Sequence, residues 1–134
     1  MHELVARIKD AELCYVFARN ATRKGHPELA LEALRRAVDL KAESHEPTTD
    51  AESAALSAIY AYEEALSHMK GKRTRATGTW QLVNKHGVLV AVAKRIDSRD
   101  KDDVMAALQE LKLEDYSFEA VYKAHPDAFA AEAA

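Results

Sequence analysis

Residues 50–70 read DAESAALSAIYAYEEALSHMK and are followed by Gly71. Neither glycine nor proline interrupts this run, and Ala55, Ile59, Tyr62, Leu66 and Met69 recur at the spacing of one helix face. Lys70 and Lys72 flank the glycine, which is the usual chemistry of a helix C-terminus. The stretch therefore predicts a long helix over 50–70, and its neighbours read in the same terms. Upstream, Ser44 to Asp50 is polar, carries Pro47 and offers several capping side chains, so it predicts a loop. Before it, His26-Pro27-Glu28 starts a helix over 27–43, with proline at the first helical position and an acid in the first turn. Leu4, Ile8, Ala11, Tyr15, Ala18 and Thr22 mark a further helix over 2–24, stopped by Gly25.

Downstream, shorter helices are expected at 77–86, 88–97, 101–112, 114–124 and 126–131. The run Val88-Leu89-Val90-Ala91-Val92-Ala93 is ambiguous, because β-branched residues also suit a buried strand and periodicity cannot decide so short a segment. An isolated strand has no partner elsewhere in this chain. With four glycines, three prolines and abundant alanine, the composition favours helix throughout. The expected fold is all-α, a compact single-domain bundle of about six or seven helices over residues 1–134.

The chain has 134 residues, 48% of them apolar, and a net charge of −3. A chain of this size buries roughly two-thirds of the surface its unfolded form exposes, enough for one core without disulfides or a structural metal. The low net charge excludes a wholly basic nucleic-acid protein and an acidic disordered chain. Cys14 is the single cysteine and lies in an apolar run, which suits a buried thiol in a reducing cytoplasm. Charges break up the first ten residues, and the longest uncharged run is Ser53 to Tyr62, so neither a secretory signal nor a membrane span is expected.

The charge is unevenly distributed. Between Ala65 and Ile96 lie seven of the 19 basic residues, Lys70, Lys72, Arg73, Arg75, Lys85, Lys94 and Arg95, and not one acid. The other 12 basic residues share the rest of the chain with all 22 acids. Four of the seven fall in Lys70-Gly71-Lys72-Arg73-Thr74-Arg75, where a helix end, a glycine and a threonine can present side chains and N–H groups together to phosphate. The plain alternative is that basic residues gather at a helix C-terminus because its dipole favours them, and then pair with acids of the same or another molecule. Trp80, five residues beyond Arg75, can stack on an exposed base, yet its neighbours Leu82 and Val83 read first as core.

Other patterns are weaker. Thr79 to Ile96 can be laid on a helix-turn-helix with Gly87 in the turn, but the second helix offers no polar side chain to a groove before Lys94 and Arg95. His125-Pro126-Asp127 resembles the tripeptide of J-domain cochaperones, whose third helix has no room in the seven residues that follow, so it reads as a helix start. Ala30 to Leu40 and Ala51 to Leu66 resemble second helices of tetratricopeptide units without the 34-residue period. Glu64 and His68 share a helix face but match no metal motif, and the six histidines are scattered. The segment 71–96, with Arg75-Ala76-Thr77-Gly78-Thr79-Trp80-Gln81 and Lys85-His86-Gly87, and the later Phe118-Glu119-Ala120-Val121 with His125-Pro126, is similar to short bacterial proteins of no known activity. That resemblance covers the C-terminal half and implies a small bacterial helical domain, with no site residues to carry across.

Binding is thus expected rather than catalysis. The expectation is a cytoplasmic bacterial accessory protein, without cofactor or metal, that sets Lys70, Lys72, Arg73, Arg75, Lys85, Lys94 and Arg95, with Trp80, against DNA or RNA phosphate with little sequence preference. The alternative is a protein-interaction module, a homodimer or adaptor whose basic island docks on an acidic protein surface. An enzyme needs a concave pocket with convergent polar groups and a perturbed titrating residue, and no pattern in the sequence predicts one.

Overall fold

The computed structural model describes residues 1–133, which contain nine α-helices, one 3-10 turn and no strand. Contacts gather the chain into two compact units, Met1–Glu46 and Pro47–Ala134, with the boundary in the loop expected before the long helix.

The first unit holds α1 (Glu3–Ala6), α2 (Ala11–Arg23) and α3 (Pro27–Glu43). The helix expected over 2–24 is broken at 7–10, because Asp10 adopts an extended backbone and its carboxylate accepts the N–H of Leu13 at 3.1 Å. An aspartate that caps the following turn ends the preceding one. Arg36 of α3 fastens the break, donating from Nε to the carbonyl of Ile8 at 3.1 Å. Gly25, at φ 82°, closes the α2–α3 hairpin, and Pro27 opens α3 as the sequence suggests. Val5, Cys14, Ala33, Ala37 and Val38 are fully buried, and Lys41 places its ammonium 4.7 Å from the Tyr15 ring centroid.

The second unit is arranged around α4 (Asp50–Lys70), against which α6 (Val88–Arg95), α7 (Lys101–Glu110) and α8 (Phe118–Ala124) pack. Thr49 caps α4 by accepting the N–H of Glu52 at 3.1 Å, while Glu52 reaches back to Thr48. Gly71 ends it in the left-handed conformation at φ 70°. Burial extends well beyond the expected stripe. Ala55 and Ile59 are fully buried and Tyr62 and Leu66 half-buried, but Met69 is 43% exposed, and Ala58, Ala61 and Ala65 are buried on other faces. Small side chains on several sides let neighbouring helices approach one central helix closely.

The ambiguous run after Gly87 is helical. In α6, Leu89 and Val92 join Ala55, Ala58 and Ile59 of α4, Val121 of α8 and Phe129 of α9 (Pro126–Ala133) in one apolar cluster. The helix expected over 114–124 divides into a 3-10 turn, Glu114–Tyr116, and α8, because Ser117 is extended and caps α8 through the N–H of Ala120 at 3.1 Å. The first break turns the eight expected ranges into nine α-helices among the described residues, above the six or seven expected for the bundle, and the second adds the 3-10 turn. Elsewhere α6 and α7 end two residues earlier than expected, whereas α9 begins at Pro126 as its sequence indicates. No helix among the described residues is long and apolar enough to cross a membrane.

Burial pushes the Cys14 thiol up from its ordinary value, with Arg36 opposing and Asp10 reinforcing the shift. Less thiolate and no solvent access together mean a slow nucleophile. Cys14 should resist a disulfide-exchange reagent such as DTNB in the native protein and react fully once urea unfolds it; rapid native labelling would contradict its placement.

Candidate functional site

The acid-free stretch begins immediately after the most acidic part of α4. Glu63 and Glu64 follow one another there, and both are buried, at 7% and 5% exposure. A buried carboxylate is costly unless charge or hydrogen bonds meet it, and here the loop 71–76 supplies them. Arg73 forms a two-pronged pair with Glu64, Nη1 to Oε2 at 2.8 Å and Nη2 to Oε1 at 2.6 Å. Glu63 Oε2 accepts the backbone N–H of Ala76 at 2.9 Å and the indole N–H of Trp80 at 2.8 Å. Thr74 adds a third anchor, donating its N–H to Ser67 Oγ at 2.9 Å. Ala76 precedes α5 (Thr77–His86) and has no side chain able to cap it, so Glu63 serves the start of that helix from α4.

The basic residues consequently fall into separate groups. Lys70, Lys72 and Arg75 are exposed around the pinned loop and pair with no carboxylate among the described residues. Arg73 stays half-exposed while its guanidinium is committed to Glu64. Trp80 is half-buried, tilted against Tyr60 with ring centroids 5.0 Å apart, and packed on the apolar cluster. Burial first, and then Glu63, raise the Tyr60 phenol, and Arg75 is near enough to oppose them. Lys85 lies at the other end of α5, beside the single-residue turn at Gly87. Lys94 lies on the side of α6 that meets Phe129 and Glu132 of α9. Arg95 returns to the start of α5, where a Cβ on Gly78 would stand 2.9 Å from its Nη2. The loop cluster is thus the part of the island that stays together.

Helix α5, Gly87 and α6 do form two consecutive helices, and the second is buried through Leu89, Ala91 and Val92. Glu64 and His68, which share a face in sequence, part company: Glu64 takes Arg73, and His68 Nε2 meets Glu110 at 2.6 Å. Among the described residues no group of three or more His, Cys, Asp or Glu side chains is gathered to hold a metal ion.

A concave pocket of about 210 Å³ also exists, at a place the sequence did not flag. It lies between α4, the α6–α7 connection, α7 and the start of α8, with Tyr62, Arg95, Asp100, Met105, Leu108 and Phe118 in its wall. Tyr62 donates its hydroxyl to Asp100 Oδ2 at 3.0 Å, and its ring sits 5.1 Å from that of Phe118. Burial, the hydrogen bond and the charge of Asp100 push the Tyr62 phenol up to about 12, against a smaller opposing pull from Arg95. No family model, curated protein or solved structure matches this chain.

Two outcomes follow from this geometry. Glu63→Ala orphans the buried N–H of Ala76 and the indole N–H, so urea unfolding followed by Trp80 fluorescence should show a loss of about 2 kcal/mol; an unchanged midpoint and slope would mean that the carboxylate does not hold the loop. In alkaline absorbance titration Tyr60 and Tyr62 should both ionise above the ordinary phenol range, Tyr62 near pH 12. The folded state keeps a proton on Tyr62 that the unfolded state loses, so stability should fall as pH rises from about 10 to about 12, and Tyr62→Phe should remove that part of the fall.

Proposed function

We infer that this chain binds nucleic-acid phosphate through the surface around Lys70, Lys72 and Arg75, with Arg73 at its edge. One observation carries the reading: in a segment without acids, the two neighbouring carboxylates are consumed by the loop itself, and three cations on a fixed backbone are left exposed without an ion-pair partner among the described residues. Cations held on a pinned loop lose less conformational freedom on meeting a polyanion than cations on a free one. Lys85, Lys94 and Arg95 belong to this reading as flanking contacts on a longer strand, and Trp80 as a packing residue whose ring is partly accessible. The reading takes the protein for a cytoplasmic bacterial accessory factor that acts by binding rather than by catalysis.

Exposed Leu13 and Val16 on α2, at 60% and 40%, favour a second reading, in which the chain is a protein-interaction module with the basic loop docked on an acidic protein surface.

Fluorescence anisotropy of labelled single- and double-stranded oligonucleotides separates the two. With three or four phosphates contacted, duplex affinity should drop roughly 40- to 150-fold between 50 and 200 mM salt. It should be lost in a Lys70→Glu, Lys72→Glu, Arg75→Glu variant. Arg73 is left in place there, because reversing it would set a carboxylate against buried Glu64. Absence of binding at low salt would overturn the nucleic-acid reading and leave the protein-interaction reading.

A further inference from the structure

Helix α2 turns one side to the core of the first unit and the other to solvent. Cys14 and Ala21 are buried on the inner side, whereas Leu13 is 60% and Val16 40% exposed on the outer one, with Phe17 half-buried beside them. Single exposed apolar side chains are ordinary; the charges that border this pair set it apart. Glu12, Val16 and Arg19 fall within a sector of about 60° around the helix axis, and Leu13 lies about 60° beyond Val16 on the far side. Glu12 and Arg19 are both exposed, and neither has an ion-pair partner among the described residues. Seven positions make two turns, so the acid and the base stand about 10 Å apart along the same edge of the apolar patch.

An edge with an acid at one end and a base at the other is complementary to itself when turned end for end. We propose that this face of α2 docks on the same face of a second copy, antiparallel, about a two-fold axis near residues 15–16. That one axis serves each group: Glu12 meets Arg19 of the second copy and Arg19 meets its Glu12, Val16 meets Val16 across the axis, and Leu13 enters the space between Phe17 and Asn20 of the second copy. Toward the helix ends Lys9 approaches Arg23 of the second copy, which confines close contact to the two central turns. An interface of that length is smaller than those of permanent dimers, so association is weak and follows concentration. The proposal rests on the protein-interaction reading and names the partner of its apolar face. The loop cations take no part in it, so docking of the basic loop on an acidic protein or on phosphate survives a monomeric result.

Sedimentation equilibrium of the full chain tests this. The weight-average mass should rise from 14.9 kDa toward twice that value between about 10 μM and about 1 mM. Val16→Glu, at an exposed position and checked for folding by circular dichroism, should stay monomeric throughout. Glu12→Arg and Arg19→Glu should each weaken association about tenfold or more, since each sets like charges together twice in the dimer. An equimolar mixture of those two variants should recover association, because one chain of each kind restores both acid–base pairs. The mass of a single chain at every concentration would overturn the proposal, as would a dimer that Val16→Glu leaves intact or single reversals that mixing does not rescue. Oligonucleotide anisotropy on the same samples reports separately on the phosphate surface.

Discussion

Two adjacent carboxylates inside a mostly buried helix set most of what surrounds them in the second unit. Burying Glu63 and Glu64 without partners would be costly, and the segment that leaves α4 provides a guanidinium, a backbone N–H and an indole N–H in turn. Those bonds fix the path of 71–76, the first turn of α5 and the attitude of Trp80. The same bonds divide the basic island into an arginine that belongs to the fold and cations that do not. An uneven charge distribution that looks, as a list of residues, like a single surface is partly an internal electrostatic match.

The pocket obeys the opposite economy. Around Glu63 and Glu64 the donors and acceptors meet; around Arg95 and Asp100 they do not all do so. Helix packing alone gives no reason for an aspartate to abandon its helix end for a tyrosine with two helices between them in sequence, and the Tyr62–Asp100 bond ties α4 to the start of α7 across the wall of the cavity.

The helical class, the long helix over 50–70 and the start of α3 at Pro27 were all legible, because apolar spacing, glycine stops and proline starts are local signals. Asp10 and Ser117 escaped notice, although each is a capping residue three before the amide it accepts; uninterrupted apolar spacing across them concealed the break. In the site, Lys70, Lys72 and Arg75 could be named from composition, but the commitment of Arg73 could not, since it depends on which side of α4 Glu64 occupies. The signal available was the pair Glu63-Glu64 standing just ahead of thirty-odd residues without an acid. Tyr62 and Asp100 are 38 positions apart, and no periodicity connects them.

Gly78 sits within the first turn of α5, where glycine is a poor helix former by about 1 kcal/mol relative to alanine. What it provides is room, since even a methyl group would crowd the guanidinium of Arg95. The two positions are therefore coupled through one contact: an alanine at 78 gains helical propensity in full only as far as the flexible tip of Arg95 can swing aside, so the stability change of that single substitution reports how freely the guanidinium moves.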